Sequence, residues 1–176
     1  MSRSPTLLLA ALSVAGCSQI DSPVTPEYGQ ISSSASARAE LNSRPWNSRC
    51  EGIGVFTDPT TLRINGVCNI THLGRATVFT IESVIPGPEG FVLSASSTYT
   101  AANGDKLYTT STGAAMFTPD FSRVTFTGIE IAVGGTGRFQ NASGRATRVG
   151  STRFSDLHGT YRNDGELAYG YADGSR

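Results

Sequence analysis

Residues 129–147 read IEIAVGGTGRFQNASGRAT, and the Gly-Gly-Thr-Gly run inside them decides what kind of fold this is. A glycine-rich loop after an apolar run is where dinucleotide folds cradle a pyrophosphate. Those folds place Gly-x-Gly-x-x-Gly, or a Gly-Gly-Thr-Gly-x-x-Gly variant, between a strand and a helix, and the last glycine lets the helix pack on the sheet. Here Gly134, Gly135, Thr136 and Gly137 fit, but the closing position is Gln140. Asn141-Ala142-Ser143-Gly144 then leads into the strand-like RATRV, where a helix would be needed. Residues 138–176 are too few for the rest of a doubly wound sheet, and no Gly-Lys-Ser/Thr of a P-loop is present. The stretch reads as a turn between two strands. No nucleotide cofactor is expected.

Strand signals extend outward from it in both directions, with Thr, Val, Ile, Phe and Tyr in short runs between turn residues. GIGVF (52–56) is broken by Asp58-Pro59, while TLRI (61–64) and VCNI (67–70) flank Asn65-Gly66. That dipeptide favours a type I′ hairpin, because both central residues need positive φ. From Val67 the strand is expected to run through THLGRATVFTIESV to the turn PGPEG (86–90). FVLSASSTYTA (91–101) and KLYTTSTGAAMF (106–117) flank a second such dipeptide, Asn103-Gly104. Phe91, Leu93, Ala95 and Tyr99 fall on one face of the first arm and Ser94, Ser96, Thr98 and Thr100 on the other, the alternation of a strand with one wet side. In RVTFTGIEIAV (123–133) the apolar phase changes at Gly128, which implies a bulge or bend. RATRVGSTRF (145–154) and GTYRNDGELAY (159–169) complete the set, the latter with Asp164-Gly165 as a tight turn. Roughly seven to nine strands joined by short turns make an all-β antiparallel domain, either a sandwich or a barrel. A barrel of about eight strands is filled by side chains or holds one small ligand.

The glycine segment also resembles a known family. VGGTGRFQNASGRAT (133–147) is similar to the Val-Val-Gly-Gly-Thr-Gly-x-Phe-x-x-Ala-x-Gly-x-Ala segment of plant dirigent proteins, with matches at Val133, Gly134, Gly135, Thr136, Gly137, Phe139, Ala142, Gly144 and Ala146. Allene oxide cyclases have a related Gly-Gly-Ser-Gly-x-Phe segment. Together with THLGRATVFT (71–80) and AANGDKLYTTSTG (101–113), it looks like a family of exported bacterial proteins with an allene-oxide-cyclase-like barrel, over roughly residues 50–170. The resemblance implies a single calycin-like antiparallel barrel of about eight strands, and a homo-trimer as in many plant relatives. It implies that Phe139 drops into the core beyond the turn. Dirigent proteins orient phenoxy radicals and the cyclases close an unsaturated epoxide, but their pocket residues lie outside the matched segments and none is carried over. Fold alone does not supply the chemistry.

The chain opens with MSRSPTLLLAALSVAGC, a basic start at Arg3 and an apolar core from Leu7 to Ala15. That core is far below the ~20 residues of a membrane-spanning helix and reads as an export signal. Val14-Ala15-Gly16-Cys17 resembles the bacterial lipobox, which implies cleavage before Cys17 and acylation of that residue. A plain secretory signal that happens to contain cysteine is the other reading. More than one acyl chain on Cys17 would anchor the protein stably. Ser18 in the following position points to the outer membrane. Residues 17–45 are rich in serine and poor in apolar periodicity, and read as a tether between the signal (1–16) and the barrel domain (46–176).

The 176 residues balance fourteen basic against fourteen acidic side chains without a basic run, so nucleic-acid binding is not expected. Cys50 and Cys68 invite a disulfide in an oxidising compartment, worth on the order of 3 kcal/mol through loop entropy, with two buried thiols as the alternative. Two cysteines without a close pair of histidines do not make a zinc site, and no metal is expected. No Gly-x-Ser-x-Gly elbow is present, and no catalytic constellation emerges. His72, Arg75, Tyr99, Asp105 and Tyr108 are the candidates for lining a pocket, each with an ordinary structural reading beside it: barrel support, surface ion pairing, packing or turn chemistry. His158 lacks any metal spacing, and Arg138 and Arg145 read as an ion-paired or solvated face. The functional expectation is a lipid-anchored envelope protein whose barrel is a binding or structural module. The alternative is a dirigent- or cyclase-like protein handling a small apolar molecule in the barrel.

Overall fold

The structure, a computed structural model, describes residues 43–170. Cys17 and most of the tether segment lie outside the described residues. Eight strands follow one another in chain order: β1 (Ser43–Asp58), β2 (Thr61–Ile70), β3 (Gly74–Gly87), β4 (Gly90–Ala101), β5 (Lys106–Phe117), β6 (Arg123–Gly135), β7 (Ser143–Arg153) and β8 (His158–Ala168). Each pairs antiparallel with the next, and β8 pairs with β1 to close the barrel. Of the two all-β architectures that the strand pattern allows, the barrel is the one formed. β1 begins at Ser43, so Ser43, Arg44 and Pro45 belong to the sheet although their composition reads as tether.

The Asn103-Gly104 turn is present between β4 and β5, with Gly104 at φ 88°. Asn65-Gly66 and Asp164-Gly165 do not form turns: β2 and β8 run straight through them. The expected hairpins fail there because the glycines serve close approach within the sheet. A Cβ on Gly66 would collide with the backbone carbonyl of Glu51 on β1, and one on Gly165 with that of Arg145 on β7. The long strand expected from Val67 breaks at residues 71–73, where His72 adopts φ 71°.

No bulge occurs at Gly128, which pairs regularly with Gly113. The register shift between β5 and β6 lies further on, between Tyr108 and Thr109. The inward parity of β6 is therefore constant. Glu130 and Ala132 point inside, and the apolar Ile131 and Val133 are exposed on the outer face.

The glycine segment forms the β6–β7 link. A single turn of 3-10 helix (Gly137–Phe139) delivers Phe139 into the core, where it is fully buried. Gly137 takes φ 57° and lies against the Asp105 side chain, a place where a Cβ has neither the conformation nor the room. The Thr136 N–H donates to the Lys106 carbonyl at 2.8 Å, and the Lys106 N–H donates to Thr136 Oγ1 at 3.0 Å. These bonds tie the link to β5.

The two ends of the barrel differ as a result. One end, formed by the links β2–β3, β4–β5 and β6–β7, is plugged by Phe139, Trp46, Leu73, Leu107, Leu167 and Tyr169, with the Phe139 and Tyr169 rings 4.9 Å apart. The other end, formed by β1–β2, β3–β4, β5–β6 and β7–β8, is a mouth rimmed with aromatic side chains. Phe117 contacts Phe91, Phe121 and Phe154 at centroid distances of 5.5, 5.5 and 5.3 Å, and Phe121 and Phe154 are exposed.

Candidate functional site

Between plug and mouth the interior is polar. Alternate, inward-facing positions along β3 to β8 place Glu130, Tyr99, Thr109, Asn163, Tyr161, Glu82, Arg148 and Ser111 in one belt, all buried. Glu130 is fully enclosed and accepts three hydrogen bonds: from the Tyr99 hydroxyl at 2.6 Å, the Thr109 hydroxyl at 2.6 Å and the Asn163 amide at 2.8 Å. A carboxylate is acceptor-only, and these donors occupy both of its oxygens, which is how a buried acid is tolerated. The Tyr99 and Tyr161 hydroxyls lie 3.1 Å apart. Burial drives both phenols up, Tyr161 to about 12, and the neighbouring Glu130 adds to the effect; Arg148 opposes it.

Arg148 lies on the mouth side of this network. Its guanidinium stacks on the Tyr161 ring at 4.2 Å and faces Phe126 at 5.6 Å. Its Nη1 donates to Ser111 Oγ at 3.1 Å, and its Nε is buried without an acceptor. The ion pairs among the described residues are Arg138–Asp105 and Arg153–Asp156, so Arg148 has none. Glu82 is its neighbour, and burial raises the Glu82 carboxyl above the ordinary range while Arg148 partly offsets that. Burial disfavours the charge of Arg148, but the surrounding acidic groups, Tyr161, Glu130, Tyr99 and Glu82 together, more than offset this and hold the guanidinium above its ordinary value.

Above these groups a cavity of about 170 Å³ reaches the mouth. Its wall is apolar, with Leu62, Ile64, Leu93, Phe91 and Phe126 prominent, and its polar lining comes chiefly from Glu82, Arg148 and Tyr161. A mostly apolar concavity with a few convergent polar groups is the usual form of a small-molecule site.

Cys50 and Cys68 face the interior directly opposite each other on β1 and β2 and are joined as a disulfide, with an S–S distance of 2.02 Å. Cys68 Sγ lies 3.8 Å from the Tyr161 hydroxyl, so the cross-link buttresses the floor of the site.

Of the five pocket candidates read from the sequence, the structure brings only Tyr99 into the interior, and there it supports Glu130 below the cavity. His72 is exposed in the β2–β3 link at the plugged end, its ring 5.9 Å from Tyr169. Asp105 sits in the β4–β5 link, paired with Arg138 at 3.6 Å. Tyr108 points outward from β5. Arg75 points outward from β3, beside Arg49 and Arg162 in a broad open concavity on the outside of the barrel. His158 also points out of the barrel, from the start of β8. Glu82, Glu130, Arg148 and Tyr161 escape a reading of the sequence by motif, because no local pattern joins them. Parity would find one of them: Arg148 is two residues beyond the small, inward Ala146 and shares its face.

Among the described residues no group of three or more His, Cys, Asp or Glu side chains is placed to hold a metal ion. The fold and the site together define a closed eight-stranded β-barrel with a polar belt and a one-ended cavity. The chain matches no family model, no curated protein and no solved structure.

Proposed function

We propose that this is an exported envelope protein, anchored through a lipid on Cys17, whose barrel binds a small and largely apolar molecule in the cavity at its mouth. The observation that carries the binding half is the cavity itself: an apolar wall, a plugged far end and three polar groups gathered at the floor. The lipobox-like Val14-Ala15-Gly16-Cys17 carries the anchoring half. Mass spectrometry of protein purified from its native membrane tests both. The expected result is an acylated amino-terminal Cys17 peptide and a small molecule released on denaturation. An uncleaved, unmodified amino terminus overturns the anchor. Failure of every small apolar probe to bind overturns the module.

A second reading, in which the barrel also orients or converts its ligand, is favoured by Glu82. Burial raises its carboxyl, which faces the cavity beside Arg148, in the direction that suits a general acid. The two readings separate by product analysis: the parent protein converts its ligand only in the second, and there Glu82→Gln abolishes the conversion.

A further inference from the structure

Arg148 presents an unbalanced account of hydrogen bonds. A guanidinium offers five N–H donors in a fixed planar fork and has no acceptor capacity. Here the residue is 5% exposed, one donor reaches Ser111, and Nε is buried with nothing to accept from it. Burying a cation is costly unless it is paired and hydrogen-bonded. Of the two interior acids, Glu130 has both oxygens committed to Tyr99, Thr109 and Asn163, and Glu82 forms no ion pair with Arg148. Stacking on Tyr161 fixes the plane of the fork and stabilises the charge, yet leaves the edge of the fork unsatisfied. Arg148 also lines the cavity, so what completes its hydrogen bonds can arrive from the mouth.

The size of the space limits what that is. A cavity of roughly 150 Å³ in an apolar protein interior holds one benzene ring. At about 170 Å³, this one encloses a single ring and a small head group, and a second ring or a long acyl chain would have to project through the mouth. The walls of leucine, isoleucine and phenylalanine suit a ring, and the acceptor-seeking group at the floor suits an oxyanion.

We infer that the cavity selects a single-ring carboxylic acid, its ring against Leu62, Leu93 and Phe126 and its carboxylate in a two-pronged contact with Arg148. The selection rests on the reading of the cavity as a binding site. Glu82 at the cavity floor supports it: burial raises its carboxyl and so favours the form that donates to the ligand over the ionised form that would repel it. Charge-assisted, bidentate contacts of this kind are the strong class of hydrogen bond.

The test is calorimetric titration of the full-length chain with phenylacetate, phenylacetamide, toluene and hexadecanoate. Phenylacetate is expected to bind at least ten-fold more tightly than phenylacetamide, which has the same shape without the charge. Arg148→Met is expected to erase that preference and Arg148→Lys to reduce it. Should Arg148→Met fail to fold, the acid-to-amide ratio of the unmodified protein decides alone. Equal binding of acid, amide and toluene overturns the selection and leaves the binding module standing. Tighter binding of hexadecanoate than of phenylacetate overturns the single-ring limit. Binding of none of the four overturns the selection and the module together.

Discussion

The Tyr99 hydroxyl donates to Glu130 Oε1 across 2.6 Å at the centre of the barrel, joining β4 to β6, which are not neighbours in the sheet. The bond makes Glu130 a hub, since Thr109 on β5 and Asn163 on β8 donate to the same carboxylate. Replacing Glu130 by Gln turns one acceptor into a donor aimed at donors. The expected loss is about 2–4 kcal/mol, the combined effect of weaker bonds and a buried unpaired group. Urea unfolding should show the loss as a lower midpoint at unchanged slope, and a variant as stable as the parent would remove the hub from the account.

Glu82 carries the opposite sign. Its carboxyl is raised in the folded state by burial, with Arg148 pulling it back, while Tyr161 is the other polar group of the cavity floor. A raised acid contributes stability that is fully present below its ordinary value of 4.5 and is lost as pH climbs through the folded value. Glu82→Gln removes the titrating carboxyl and so removes that decline. The melting temperatures of parent and variant should diverge in the variant's favour as pH rises from 4 towards neutral, in roughly the window where the linkage acts. Parallel curves would contradict a Glu82 carboxyl raised by burial.

Tyr161 extends the argument to alkaline solution. Burial lifts its phenol from 10.0 to about 12, against the pull of Arg148. Stability held by the protonated phenol is complete below pH 10 and disappears as pH rises towards 12. Tyr161→Phe should flatten this alkaline loss, leaving the part that belongs to Tyr99. Ultraviolet absorbance of tyrosinate followed alongside unfolding should show one phenol fewer appearing with the transition. An unaltered alkaline limb would count against a titrating Tyr161.

The Cys50–Cys68 cross-link joins strands that already pair along their length, from Ser48 opposite Ile70 to Asp58 opposite Thr61. Its contribution is then chiefly to restrict the unfolded chain. Cys50→Ala with Cys68→Ala should keep the fold and lose about 3 kcal/mol in urea. Loss of the native circular dichroism without denaturant would show that the barrel depends on the bond itself.

The alternation Ser94, Ser96, Thr98 against Ala95 and Tyr99 was legible in the sequence because β4 has a wet side and a dry side, and period 2 records that directly. Phe139 was legible through its resemblance-bearing segment. Glu130 was hidden by its neighbours. Ile129, Ile131 and Val133 look like a core face, yet a barrel tolerates apolar side chains on its outside and fills a narrow centre with Glu130 and Ala132. Asn65-Gly66 and Asn103-Gly104 carry the same local signal. Only the second is a turn, because the first glycine is demanded by a neighbouring strand, Glu51 on β1, that the local sequence does not reveal. The candidate site lay beyond reach for a related reason. Glu82, Arg148 and Tyr161 meet only when β3, β7 and β8 curve around one axis, a relation between segments far apart in the chain.

The closing pair of strands gives the molecule a direction. Ser43, where β1 starts, lies opposite Ala168, where β8 ends, and both are at the plugged end. The polypeptide thus arrives and departs on the side of Phe139, and the aromatic rim of Phe117, Phe121 and Phe154 lies at the far pole. Both strand ends at that seam therefore lie away from the opening, as the seam of a cup ends at its base.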